Sequence, residues 1–327
     1  MRRREFIGGL GAIATVWPLP SLGQSTSTPA IGFLHPATVE PVKPLAAAFR
    51  EGLKEMGYLE GQNVFIHYAL AQGRYDQLPK LASELVRLEV AAIAAVGGDP
   101  SVLAAKGATS SIPIIFNTGS DPSKIGWVTR LNRPDGNITG INQLTGLAAQ
   151  KQLELMHELL PRTVSIGLIQ NPANPAARSR REELERAAKS LGRELQVVDA
   201  GNEADLPAAF EKLATLQVGG FLIVGDSILL SLREKIVGLA AEYQIPGIYS
   251  RREYTFAGGL LSYGANLNES YRLTGAYAGR ILKGEKPADL PIQQSAKLDL
   301  VINIKTAQRL GFPIPDSILR RADEVIE

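Results

Sequence analysis

Residues 76–99 read DQLPKLASELVRLEVAAIAAVGGD, and residues 204–227 read ADLPAAFEKLATLQVGGFLIVGDS. The two stretches share one plan. Leu78-Pro79 matches Leu206-Pro207. Leu85, Leu88 and Val90 match Leu213, Leu216 and Val218 at an offset of 128 residues, and Val96-Gly97 matches Val224-Gly225. Each copy holds an apolar pattern of helical spacing followed by a short apolar run of strand length. Ile112-Pro113 and Ile245-Pro246 then open a further strand in each half. A helix–strand unit that recurs in this way points to two similar α/β lobes, each built on its own sheet.

Outward from these copies the alternation continues. Strands are expected at 31–34, 64–68, 91–96, 113–116 and 138–141 in the first half, and at 164–169, 195–198, 221–224 and 247–249 in the second. Helical spacing occupies 43–58, 77–88, 178–191, 206–216 and 229–242, with Leu45, Ala48, Phe49, Leu53 and Met56 forming the apolar stripe of the first. Strand, helix, strand in this order implies doubly wound parallel sheets with helices on both faces. Beyond Gly258 come a strand-like run at 260–263, a helix at 267–282 and a last strand at 298–304, where the chain crosses between lobes. The expected division is 30–142 plus about 262–286 for lobe 1, and 143–261 plus about 287–327 for lobe 2. Several crossings make a multi-strand hinge, with a ligand cleft between the lobes.

Composition narrows the function classes. The 327-residue chain carries a formal net charge of +2, and Arg2, Arg3, Arg4 and Glu5 account for all of it. The remainder is neutral and offers no electrostatic footprint for nucleic acid. There is no cysteine, hence no thiol nucleophile, disulfide or lipid-anchor thiol. Residues 1–23 read as an export signal, with Arg2–Arg4 as the charged start and Phe6–Trp17 as an apolar stretch too short to span a bilayer. Arg3-Arg4-Glu5-Phe6-Ile7 resembles a twin-arginine signal, and an ordinary secretory signal is the other reading. Cleavage is expected near Gln24, which places the mature protein in the periplasm without a membrane anchor.

In open α/β sheets, ligands bind beyond the carboxyl ends of the strands, where helix N-termini offer free N–H groups. In the first half those positions hold His35, Gly98, Asp99, Ser101, Asn117 and Thr118. In the second half they hold Asn171, Asn174, Asp226, Tyr249 and Tyr263. Asp99-Pro100, Asp121-Pro122 and Asn174-Pro175 also have the form of a helix cap followed by proline. Asp226 follows an apolar strand and reads either as the partner of a ligand ammonium, with first-lobe amides on the ligand carboxylate, or as a cap. Tyr249 and Tyr263 read either as aromatic pocket walls or as buried sheet-edge residues.

Catalytic constellations are missing. No Gly-x-Ser-x-Gly elbow, Walker loop or His-Glu-x-x-His helix occurs, and His35, His67 and His157 are scattered. No enzyme activity, cofactor or metal is expected.

The ordered motifs carry a resemblance. Gly57–Asn63 is followed by Arg74-Tyr75-Asp76-Gln77-Leu78-Pro79, Ala104-Ala105-Lys106, Ile112-Pro113-Ile114, and Arg133-Pro134-x-Gly136-Asn137-x-Thr139-Gly140. Asn171–Pro175, Gly258-Gly259-Leu260 to Gly264, and the ending Arg321–Glu327 complete the set. Together they resemble the ABC-transporter substrate-binding protein family, in the branch that includes tryptophan- and aromatic-amino-acid-binding members. The resemblance covers nearly all of the mature chain. It implies a type I periplasmic-binding-protein fold, a monomer that closes on a small organic solute, an amino acid in first place, and delivery to an inner-membrane ABC permease. A binding protein that reports to a membrane receptor, an exported α/β enzyme and a repressor-type effector domain are the rival readings.

Overall fold

A computed structural model describes residues 28–294, 297–311 and 313–327. The expected export signal lies outside the described residues. The first lobe opens with β1 (Ala30–His35), α1 (Val39–Glu55), β2 (Phe65–Leu70), α2 (Leu78–Arg87), β3 (Ala92–Ala95), α3 (Asp99–Ala108), β4 (Ile114–Thr118) and β5 (Ile138–Asn142). The chain then crosses to the second lobe. There it forms α4 (Thr145–Leu159), β6 (Ser165–Gln170), α5 (Ala177–Ser190), β7 (Glu194–Asp199), α6 (Leu206–Thr215), β8 (Gly220–Ile223), α7 (Ser227–Ser231), α8 (Arg233–Glu242), β9 (Gly247–Tyr249), α9 (Arg252–Phe256) and β10 (Leu261–Ala265). It returns for α10 (Leu267–Leu282) and β11 (Gln293–Gln294), and ends in the second lobe with β12 (Leu298–Asn303), α11 (Ile304–Arg309), α12 (Asp316–Leu319) and β13 (Glu324–Ile326).

The two sheets repeat one topology. The first has the order β11-β5-β4-β3-β1-β2 and the second β13-β12-β10-β9-β8-β6-β7. From β2 to β5 and from β7 to β10 the orders are the same, and all neighbours in those runs are parallel. The second sheet departs from the expected parallel pattern at β12, which runs antiparallel to β10. Strands buried on both faces explain the apolar runs: Ala92–Ala95 and Gly220–Ile223 are buried throughout.

Each lobe has a core on both faces of its sheet. One first-lobe cluster joins Phe33, Phe49 and Leu53 to Tyr271 and Ile281 of α10, and another joins Leu34, Leu78, Leu85 and Phe116. The corresponding second-lobe clusters contain Leu153, Leu168 and Ile302 on one face and Phe210, Phe221 and Tyr249 on the other. α10 belongs to the first lobe because glycines let it lie directly on α1. A Cβ on Gly52 would sit 1.8 Å from the Arg272 carbonyl oxygen, and one on Gly275 would sit 1.9 Å from that of Phe49.

Two boundaries differ from expectation. β10 stays in the second sheet through Ala265, because it pairs with both β9 and β12, so the crossing expected at about 262 falls after 265. Gln293-Gln294 pairs with Ile141-Asn142, so the first lobe keeps the chain past 286. The helix expected over 229–242 is broken into α7 and α8 at Leu232. The Ser231 hydroxyl donates back to the Ser227 carbonyl at 2.9 Å, a bond that bends helices.

Candidate functional site

In sheets of this order the switch in winding direction lies between the first strand and the third. The matching pairs are β1/β3 in one lobe and β6/β8 in the other. The carboxyl ends of these four strands face each other across a cleft of about 610 Å³, counting its open mouth.

His35 ends β1. Its Nδ1 accepts from the Ala37 amide at 3.0 Å, which puts the ring proton on Nε2, 3.0 Å from the Tyr271 hydroxyl. Burial lowers its pKa to about 3, so the ring is neutral at ordinary pH. Gly98 follows β3 with φ of 104° and stands at the cap position of α3. The next residue, Asp99, lines the cleft and accepts from the Thr118 and Ser120 hydroxyls.

Asp226 follows β8, caps the helix after it and lines the cleft. Its Oδ1 accepts from the Ile228 and Leu229 amides at 3.0 Å each, capping α7. Its Oδ2 faces the cleft, where Asn174 Nδ2 donates at 2.8 Å and the Tyr75 hydroxyl of the first lobe donates at 2.7 Å. Burial first, and then the Asp226 charge, push the Tyr75 hydroxyl well above the ordinary tyrosine range. A second bond crosses the opposite way, from Ser227 Oγ to the Gly97 carbonyl at 2.6 Å. The lobes are therefore closed on one another.

Of the candidates, His35, Gly98, Asp99, Asn174 and Asp226 line the cleft. Thr118 and Asn171 stand one layer back and contact Asp99 and Asp226, respectively. Asn117 is fully buried and donates to Thr274 at 3.0 Å. Ser101 is fully buried on α3, and its hydroxyl has no partner among the described residues. The two tyrosines do not wall the pocket. Tyr249 stacks on Tyr254 with ring centroids 4.7 Å apart in the second-lobe core. Its neighbour Ile248 occupies the opposite face of the sheet, as strand alternation demands. Tyr263 packs on the outer core cluster of the second lobe, and its carbonyl accepts from Gln152 Nε2.

Sequence reasoning missed several polar residues of the cleft, among them Gln143, Thr145, Arg180, Arg251 and Tyr271. Arg251 lies two residues past the end of β9 and Thr145 starts the helix after β5, so the strand-end rule had the power to find both. Arg251 is buried. Its guanidinium donates to Gln143 Oε1 and, at 3.2 Å, to the Ala265 carbonyl, and burial holds its pKa below the usual arginine range. Arg180 Nη1 donates to the Gly225 carbonyl at 2.5 Å. The cleft thus carries two carboxylates, Asp99 and Asp226, and two guanidinium groups, Arg180 and Arg251. No cluster of metal-ligating side chains occurs among the described residues, and none of their helices is long and apolar enough to cross a membrane.

Comparison with known proteins agrees with this architecture. The chain is 27% identical to the tyrosine-binding protein of Clostridioides difficile over 264 residues, which cover 81% of this chain and 75% of that protein. It is similar to the crystal structure of an ABC domain from Streptococcus pneumoniae in complex with L-Trp, with a TM-score of 0.82 and 25% identity over 92% of this chain and all of that one. A conserved domain protein of Vibrio cholerae is similar with a TM-score of 0.84 and 28% identity, over 91% of this chain and all of that one. The sequence pattern of the family described as ABC transporter substrate binding protein matches residues 35–326, and the chain belongs to that family.

Proposed function

We propose that this protein is the periplasmic binding component of an ABC importer and that its cargo is an amino acid with an aromatic side chain. The observation that carries the reading is the charge balance of the cleft. Asp99 and Asp226 face Arg180 and Arg251 where the lobes meet, which suits a ligand that is itself a zwitterion of zero net charge. Asp226 is the group for the ammonium: its Oδ1 is fixed by the α7 amides, which leaves Oδ2 aimed at the cleft. The ligands of the similar proteins, tyrosine and L-Trp, supply the aromatic preference. Aliphatic groups of Ala37, Pro41, Leu45, Leu230 and Leu267 offer the apolar wall such a side chain needs. Closure of the lobes excludes water and strengthens each polar contact. The loaded monomer then delivers its cargo to a permease of the inner membrane.

Titration calorimetry of the mature protein with amino acids, organic acids, sugars and nucleosides tests the reading. Aromatic amino acids are expected to bind, and failure of every amino acid in the panel sinks it. Asp226→Asn keeps the cap, since asparagine caps as well as aspartate, and removes the charge. It is expected to weaken amino-acid binding by about 30-fold or more, in line with the loss of a charged hydrogen bond.

A further inference from the structure

Resting on the amino-acid reading, the ammonium has a partner in Asp226, and the ligand carboxylate needs one. The first-lobe amide of Gly97 is already engaged. The Gly97 amide already faces the Tyr271 hydroxyl, and its carbonyl accepts from Ser227.

The cationic side of the cleft lies elsewhere. α4 starts at Thr145 after Leu144, which has φ of 52° and gives no side-chain cap. The first amides of a helix have no partner within it, and they carry the positive end of its dipole. Thr145 lines the cleft and is only 4% exposed, yet its hydroxyl has no hydrogen-bond partner among the described residues. A buried hydroxyl without a partner is costly, and a ligand acceptor removes the cost.

Two guanidinium groups converge on the same spot. A Cβ built on Gly119 would lie 1.9 Å from Thr145 Oγ1 and 3.4 Å from Arg180 Nη2. One built on Gly225 would lie 3.5 Å from Arg251 Nη2 and 3.6 Å from Thr145 Cγ2. Neither arginine has an acidic partner within ion-pair distance among the described residues, and Glu183, beside Gly146 on the helix start, pairs with neither. Like charges gathered in a buried site, with a helix N-terminus and an unpaired hydroxyl, match an anion. We propose that the N-terminus of α4, the Thr145 hydroxyl and the guanidinium groups of Arg180 and Arg251 form the subsite for the ligand carboxylate. The site then reads the amino acid from one lobe, with Asp226 on its ammonium and Arg180 on its carboxylate. The Arg180 bond to the Gly225 carbonyl sets the spacing between the two groups.

The test compares three probes in the tyrosine series and the same three in the tryptophan series: the amino acid, its carboxamide, and the propionate that lacks the ammonium. Thr145→Val replaces only the unpartnered hydroxyl and leaves the helix start intact, so it stays folded whatever Arg180→Gln does. Calorimetry is expected to show wild type preferring L-tyrosine to L-tyrosinamide by about 30-fold. Arg180→Gln lowers L-tyrosine affinity by about 30-fold and L-tyrosinamide affinity by less than about 3-fold. Thr145→Val lowers L-tyrosine affinity by about 5-fold with the same selectivity, and Arg180→Lys recovers part of the loss. If L-tyrosine binds but both variants weaken acid and amide alike, or weaken neither, the subsite is overturned and the amino-acid reading stands. If the propionate binds as well as the amino acid and depends on Arg180, the subsite stands and the amino-acid reading falls. Binding of no probe in either series to wild type overturns both.

Discussion

At the repeat offset of 128, Gly98 in the first lobe stands where Asp226 stands in the second, and Asp99 stands where Ser227 does. Both slots cap the helix after the third strand of their sheet, and both border the cleft. They do so by opposite means. Gly98 has φ of 104° and no side chain, and the carboxylate one residue later is held by hydroxyls of its own lobe. Asp226 has extended backbone with φ of −144°, caps its helix with its own oxygen and meets Tyr75 of the other lobe. One duplicated slot therefore presents backbone, and the other presents charge. A one-residue shift of the aspartate separates a carboxylate held within its own lobe from one that also reaches across to the other.

The sharpest way to break this comparison is to delete each carboxylate. Asp226→Ala strips an acceptor from two helix amides, Asn174 and Tyr75, and is expected to cost ~3 kcal/mol of stability in urea unfolding. Asp99→Ala frees only two hydroxyls, which rotate to new partners, and is expected to cost ~1 kcal/mol. Equal losses would show that the two slots do the same work.

The first strands differ as well. β1 ends in buried His35, whereas β6 ends in Gln170, which donates to Asp199 at 2.8 Å. The folded His35 ring resists its proton down to about pH 3, against 6.5 in the unfolded chain. The unfolded state thus binds more protons between those values. The stability this neutral ring confers is complete above pH 6.5 and drains as pH falls toward 3, by at most about 1.4 kcal/mol per pH unit. Wild type is expected to lose ~2 kcal/mol from this residue between pH 6.5 and 5. In His35→Gln that part of the slope is absent, and an unchanged slope would remove His35 from the account.

A smaller effect isolates the backbone side of the comparison. A Cβ on Gly98 meets only Pro100 Cδ at 3.8 Å, so Gly98→Ala has room but not the conformation. With φ of 104° and ψ of −173°, alanine there is expected to cost ~1–2 kcal/mol by thermal unfolding. Gly57 is the control, being a left-handed glycine in open space away from the cleft.

Much of this was legible before any coordinates. Apolar runs such as Phe221–Val224 and the Leu-Pro and Val-Gly punctuation fix strands and duplication, because both follow from local pattern. Strand ends locate the cleft, and His35, Asp99 and Asp226 fall in it. What pattern does not encode is facing. Tyr249 sits at a strand end, but its ring points into the core, because it alternates with Ile248. Arg180 is one of four arginines on α5, with Arg178, Arg181 and Arg186, and only the phase of that helix against the sheet selects it for the cleft. Tyr75 lies in a motif that carries the family resemblance, yet its bond to Asp226 spans 151 residues and depends on how the lobes close.

That bond gives the finest test of how the two lobes divide the work. Tyr75 reaches Asp226 at 2.7 Å and Ser227 reaches the Gly97 carbonyl at 2.6 Å, so each lobe donates one hydroxyl bond to the other. Tyr75→Phe removes the first, while Asp226 keeps its helix amides and Asn174. Ser227→Ala removes the second and leaves a carbonyl with a free lone pair. Each loss is worth ~1 kcal/mol of the closed form, so ligand release by stopped flow is expected to quicken about threefold to tenfold with association unchanged. Tyr75→Phe should have the smaller effect, because its partner stays satisfied and no buried acceptor is orphaned. If neither variant changes release, these bonds do not hold the lobes together, and closure rests on the ligand alone.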